Sequence, residues 1–259
     1  MNLELRGKSA LITGGSRGIG LGIAHALAAE GVILHLVGRS KDNLARAAET
    51  IKKDYGGEVY THAIDIAQRG AAEQIVKAAP DIDILVNNAG ATPAGDLLSV
   101  DEEAWRSGWD IKIFGCINFS RAYYALMAER RSGVIINIVG ISSDRVEYDY
   151  IAGCSGNAAI AAFTRTLGGR SLEHGIRVVG ISPGTTETDR ATQWYIDQAE
   201  KEFGDPDVWR KFTVSLPLKR PGTPEEIGAA VAFVASPRAS YISGTILSVD
   251  GGYTHAAGL

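Results

Sequence analysis

Residues 13–20 read TGGSRGIG, a threonine with glycines at 14, 15, 18 and 20. That spacing suits the holding of a phosphate by backbone groups. Glycine permits a tight turn, lets the backbone approach a pyrophosphate, and lets the next helix pack close to the strand before it. The free amides and positive end of a helix starting near Gly18 would then face the phosphates. Gly14, Ser16, Arg17, Gly18, Ile19 and Gly20 are therefore the candidate cradle. A glycine-rich loop alone is a weak signal. Here it follows an apolar run, SALIT at 9–13, and precedes an amphipathic stretch, IGLGIAHALAAEG, which makes a plain turn the poorer reading. The end of the second apolar run adds to this. An acid there holds a ribose 2′-hydroxyl, whereas a basic residue accommodates a 2′-phosphate. Residues 37–41 read VGRSK, without an acid, so Arg39, Ser40 and Lys41, together with Arg17, can offer a phosphate positive charge and a hydroxyl. This favours NADP(H) over NAD(H) as the cofactor; in the alternative, Arg39 is only a solvated residue at the start of the next helix.

Such residues need a frame. Apolar β-like runs at 9–13, 32–37, 59–64 and 82–87 alternate with amphipathic stretches, the βαβ rhythm of a parallel sheet with helices on both faces. In the first helix Ile19, Ile23 and Leu27 share one face, and Gly31 ends it. A long helical region around 101–131 follows, then a strand at 133–139, a helix through about 173, a strand at 176–182, and a closing helix and strand in PEEIGAAVAFVAS and TILSVD. No repeat, low-complexity tract or linker divides the chain, so residues 1–259 read as a single dinucleotide-binding α/β domain. The least regular stretch, 185–216, falls between strand and helix and reads as a lid-like insertion.

A formal net charge of −4, with basic residues interspersed among acids, offers no footprint for nucleic acid. No apolar run approaches the ~20 residues that span a bilayer, and MNLELRGKSA lacks the apolar core of a signal peptide. A soluble, cytoplasmic protein without a membrane partner is expected. Cys116 and Cys154 match no metal-ligand spacing and no disulfide framework, and Cys154 reads as a small buried thiol. His25, His35, His62, His174 and His255 show no ligand spacing either, so no metal site is expected.

These pieces in this order resemble the short-chain dehydrogenase/reductase family over essentially the whole chain. The matching segments are TGGSRGIG (13–20), Asp65 in AIDI, NNAG (87–90), SPGTTET (182–188) and RPGTPEEIGAAVAFVASPRASYISGTILSVDGG (220–252). The resemblance implies a Rossmann-type, doubly wound parallel sheet of about seven strands in three α/β/α layers. It also implies a homo-oligomer, dimer or tetramer, assembled through two long helices. By the same resemblance Asp65 and Ile66 would contact adenine, Asn88, Ala89 and Gly90 would line the cofactor ribose, and Pro183, Gly184, Thr186 and Thr188 would hold the nicotinamide carboxamide.

The family's usual chemistry uses a serine that polarises a carbonyl, a tyrosine that transfers the proton, a lysine that supports the tyrosine, and an asparagine that orders water. This is acid/base catalysis beside a cofactor that carries the hydride. Against the family pattern, NIVG (137–140) places Gly140 at the serine position, and GCSGNAAIAAFTRTL (153–167) places Gly153 at the tyrosine and Asn157 at the lysine. Lys112, in DIKIFG, falls where the asparagine is usual. The lysine and asparagine have thus exchanged helices. A Lys112 ammonium facing the pocket could hold a substrate carboxylate or donate a proton; the alternative is a lysine whose head reaches solvent past its helix. Tyr150 and Tyr148 are further candidate proton donors, and the two glycines should leave a wider site. Three functions fit: an NADP-dependent oxidoreductase on a small-molecule substrate without the usual Ser-Tyr-Lys set; a non-redox lyase, isomerase or hydrolase on the same frame; and a catalytically silent nucleotide-binding or regulatory protein.

Overall fold

A computed structural model describes residues 1–256. Seven parallel strands form one sheet in the order β3-β2-β1-β4-β5-β6-β7. They are β1 (Ser9–Thr13), β2 (Ile33–Gly38), β3 (Val59–Ala63), β4 (Ile84–Asn87), β5 (Gly133–Ile138), β6 (Ile176–Pro183) and β7 (Ile246–Val249). Between them run α1 (Gly18–Ala29), α2 (Lys41–Tyr55), α3 (Ala71–Ala78), α4 (Glu102–Trp109), α5 (Cys116–Glu129), α6 (Ile151–Gly168), α7 (Asp189–Phe203) and α8 (Pro224–Ala235). The fold is the doubly wound parallel sheet the sequence implies.

Strand alternation sends successive side chains to opposite faces. Ile12, Leu34, Leu36, Val86 and Ile136 pack with Ile23 and Leu27 of α1, Leu44 of α2 and Val231 of α8. Their neighbours Leu11, Val37, Leu85 and Ile135 point the other way, onto Ile75 of α3 and Phe119, Tyr123 and Met127 of α5. The sheet is therefore buried on both sides, as a parallel sheet must be. Helix boundaries follow side chains that satisfy free amides. Ser40, Asp101 and Thr188 accept from Asn43, Ala104 and Ala191, and Thr223 with Glu226 forms a capping box on α8.

The region 101–131 is helical without a break from Glu102 to Glu129, as expected, with a π-helical turn, Asp110–Gly115, joining α4 to α5. One element departs from expectation. The stretch 185–216 is more ordered than its composition suggests, because α7 fills 15 residues of it, capped by Thr188 and closed by Gly204 at φ 68°. Its aromatic residues cluster: Tyr195 stacks near Trp209 and Phe212 at centroid distances of 6.2 Å. Among the described residues no helix is long and apolar enough to cross a membrane.

Candidate active site

The strand order reverses between β1 and β4, so their following loops diverge and leave a crevice, the usual ligand position in such sheets. One wall is the glycine loop. Gly14 (φ 66°) and Gly18 (φ 53°) take left-handed conformations. A side chain at Gly20 would collide with the Gly14 carbonyl and the Asn88 amide. No side chain caps α1 at Arg17 and no acid stands in its first turn, so its amides remain free for an anion. The opposite wall is the NNAG segment. Thr13 Oγ1 accepts from the amides of Asn88 and Ala89, both at 3.0 Å, and Asn88 Nδ2 donates to the Thr13 carbonyl at 2.9 Å. Asn88 thus ties the two walls together with its own side chain. Arg17 and Arg39 are exposed at the end of β1 and β2, and neither is ion-paired among the described residues. Ser40 Oγ caps α2 by accepting from Asn43 N at 3.2 Å and keeps its own O–H to donate. Asp65 accepts from the Ala67 amide at 3.1 Å, and Ile66 is buried in the core against Gly115. Pro183 ends β6; Gly184 N donates to the Val249 carbonyl, Thr186 Oγ1 to the Gly184 carbonyl, and Thr188 abuts Gly18. The dinucleotide candidates therefore lie on the loops that follow β1, β2, β3, β4 and β6 along one edge of the parallel sheet, with Ile66 facing largely inward.

The reacting end lies past the C-terminal edge of β5. Gly140 has φ 130°, a conformation reserved for glycine, and a side chain there would press on the Asn157 amide at 3.1 Å. Asn157 is buried in α6 and donates from Nδ2 to Ser142 Oγ at 2.7 Å, while its Oδ1 has no partner among the described residues. Lys112, on the π turn, passes its stem across Gly90 and donates from Nζ to the carbonyls of Val139 (2.7 Å) and Ile138 (3.2 Å). Its head is turned inward, not past the helix to solvent. No carboxylate lies within ion-pair distance among the described residues. Although the side chain keeps some exposed area, desolvation of the ammonium lowers its pKa to about 8. Burial pushes the neighbouring Cys116 thiol up to about 12, so it stays protonated and hydrogen-bonds Asn137.

The space that glycine opens at 153 is not empty. The Tyr150 ring occupies it: a methyl group at Gly153 would fall against Cε1 and Cζ of that ring. A bridge between Gly95 and Tyr150 joins the loop after β4 to the start of α6, and places the Tyr150 hydroxyl 2.6 Å from Thr92 Oγ1. The expectation of a wider pocket is thereby corrected. Tyr148, 74% exposed, stands outside this group. Three residues that sequence reasoning passed over belong to it. Thr92 meets Tyr150; Ser142 holds Asn157; and Arg190, at the start of α7, donates from Nη2 to the Thr92 carbonyl at 3.2 Å. Their only signals were adjacency, Thr92 two residues past NNAG and Arg190 two past SPGTTET. Among the described residues no group of three or more His, Cys, Asp or Glu could hold a metal.

A doubly wound sheet with a glycine-lined, uncapped helix start at its reversal point defines a dinucleotide-binding α/β protein. Comparison with known proteins narrows the class. The family described as enoyl-(acyl carrier protein) reductase matches residues 14–254. Galactitol 2-dehydrogenase (L-tagatose-forming) of Cereibacter sphaeroides is 34% identical, over 97% of this chain and 96% of that protein. A 3-oxoacyl-(acyl-carrier-protein) reductase of Chlamydia muridarum is 36% identical, over 97% and 99%. L-sorbose reductase from Gluconobacter frateurii, solved with NADPH and L-sorbose, superposes with a TM-score of 0.92 at 30% identity, over 99% and 100% of the two chains. A xylitol dehydrogenase solved with NAD+ superposes at 0.87. The chain belongs to the short-chain dehydrogenase/reductase family.

Proposed function

We propose that this protein is an NADP(H)-dependent oxidoreductase for a small organic substrate, with acid/base work moved from the usual serine, tyrosine and lysine positions to Tyr150 and Lys112. The observation that carries the proposal is the Tyr150 ring lying in the side-chain space of Gly153. A phenol is thus kept at the wall where the family resemblance implies one, supplied from three residues earlier. The glycine floor, the free amides of α1 and the unpaired Arg17 and Arg39 suit a dinucleotide with a 2′-phosphate. Once bound, that cofactor gives or takes the hydride. Tyr150 would deliver or accept the proton at the substrate oxygen, with Thr92 Oγ1 fixing its hydroxyl. The Lys112 ammonium would lend positive charge from the β5 edge, and Asn157, held by Ser142, would line the same edge. The stretch 185–216 would close over the crevice. Thr188 and Arg190, which already reach Gly18 and Thr92, support that role. A cytoplasmic homo-oligomer, dimer or tetramer, completes the proposal. Phe114, an apolar side chain 52% exposed on the π turn between α4 and α5, supports self-association through that helical region.

The non-redox reading rested on an emptied pocket, and Tyr150 fills that space. The test is NADPH oxidation with a panel of small ketones, aldehydes and oxo acids. Tyr150→Phe should lower kcat by a hundredfold or more while the NADPH dissociation constant stays within a factor of two. Wild-type kcat in Tyr150→Phe would refute the assignment, and NADPH binding without turnover of any substrate would favour the catalytically silent reading.

A further inference from the structure

Arg190 differs from Arg220 and Arg145, whose guanidinium groups are already engaged. Arg220 is paired with Glu226 at 2.8 Å, and Arg145 lies over the Tyr253 ring at 4.1 Å and donates to its carbonyl. Arg190 spends one N–H on the Thr92 carbonyl, and no carboxylate lies within 4.0 Å of it among the described residues. A guanidinium has five donors in a planar fork, so a face suited to two oxygens of one carboxylate is left over. The anchor also fixes where that fork sits. Thr92 receives Arg190 on its carbonyl oxygen and meets the Tyr150 hydroxyl with its own Oγ1 at 2.6 Å. One residue therefore separates the charged fork from the phenol, a spacing on the order of 8 Å from two hydrogen bonds and the span of a threonine. A ligand oxygen on each donor then leaves a few ångströms between the two oxygens. That is the spread of carbonyl and carboxylate oxygens in a short oxo acid. Lys112, turned inward onto the Ile138 and Val139 carbonyls, likewise has no carboxylate within 4.0 Å among the described residues.

We propose that the site takes a short 2- or 3-oxo acid, or the matching hydroxy acid in the reverse direction, and that Arg190 determines this by binding the carboxylate. For turnover the inference rests on the oxidoreductase reading; for binding it does not. The test therefore has two arms. In the first, oxamate, an unreactive relative of a 2-oxo acid, is titrated into the protein with NADPH and followed by tryptophan fluorescence, which Trp194 on α7 makes sensitive to the region. Ethyl oxamate is the uncharged control. Oxamate should bind at least tenfold more tightly than its ester, Arg190→Met should collapse that ratio toward one, and Arg190→Lys should fall between, because lysine keeps the charge and loses the fork. In the second arm, NADPH oxidation is compared for pyruvate and acetoacetate against their methyl esters. The acid-to-ester ratio of kcat/KM should exceed ten and should collapse in Arg190→Met mainly through KM. Equal binding of oxamate and its ester, or an unchanged ratio in Arg190→Met, overturns the proposal whether or not NADPH is consumed. Discrimination through Arg190 without turnover of any oxo acid sinks the oxidoreductase reading and leaves the carboxylate site standing.

Discussion

Replacing Gly153 with alanine separates the packing of the Tyr150 ring from ordinary helix behaviour. In most helices the exchange stabilises by up to about 1 kcal/mol, since glycine carries the larger entropy of ordering. Here the new methyl group falls on the Tyr150 ring. Overpacking of this kind costs roughly 1–3 kcal/mol, and displacing the ring also breaks the 2.6 Å contact with Thr92, worth about 1 kcal/mol. Gly153→Ala should therefore destabilise by about 1–3 kcal/mol. With Tyr150→Ala in place the ring is gone, and the same substitution should stabilise by up to about 1 kcal/mol. The coupling between the two positions is then about 2–4 kcal/mol, far above the ~0.5 kcal/mol scatter of independent sites. Urea denaturation of the four proteins at pH 7, followed by circular dichroism, measures it. A Gly153→Ala protein more stable than wild type, or two effects that simply add, would refute the placement of Tyr150. The cycle also bears on restoring the family's residues. A tyrosine at 153 cannot enter until Tyr150 is shortened, and a serine at 140 must adopt φ 130°, so exchanging the four changed positions alone should not rebuild the usual site.

Other outcomes follow from the charges. Lys112→Met removes a desolvated cation without an acid partner, together with its bonds to the Ile138 and Val139 carbonyls, and should abolish the dependence of stability on pH that this amine brings. For wild type the folded pKa of about 8 lies below the unfolded value of 10.5, so the unfolded chain binds more protons between them and stability should rise across that window; a melting temperature flat from pH 8 to 10 would contradict this. His35 Nδ1 and His62 Nε2 lie 3.0 Å apart on β2 and β3. Burial, together with the His62 charge, lowers His35 from 6.5 to about 4, and burial lowers His62 as well. Stability should hold above pH 6.5 and fall as pH drops toward 4, and His35→Phe should flatten that fall in thermal melts. Arg39→Ala should weaken NADPH at least tenfold and leave NADH within about twofold, as read by nucleotide fluorescence; equal losses would mean that Arg39 does not meet the 2′-phosphate.

The frame was legible in the sequence because its signals are local. SALIT is β1 residue for residue, and GVIINI lies where the alternation placed it. Gly14, Gly18 and Gly20 had a backbone reason that the dihedral angles and contacts bear out. Less legible was α7: its composition suggested an irregular segment, yet Thr188 and Gly204 supply both ends of a 15-residue helix. The π turn was hidden, because one extra residue in a helical run leaves the apolar spacing almost unchanged.

By itself the sequence determined the class of fold, the glycine loop after β1, and the presence of glycine rather than a phenol at position 153. Periodicity, turn residues and segment order are properties of neighbouring residues, and neighbours suffice to read them. Only the tertiary structure decided what fills the space at Gly153. Tyr150 reaches it because the loop after β4 bridges to the start of α6 through Gly95. Thr92 and Arg190, 98 residues apart in the chain, meet because β4 and β6 deliver their loops to the same edge of the sheet. Contacts of that kind depend on how strands are ordered and how side chains exclude one another, and no spacing along the chain encodes them.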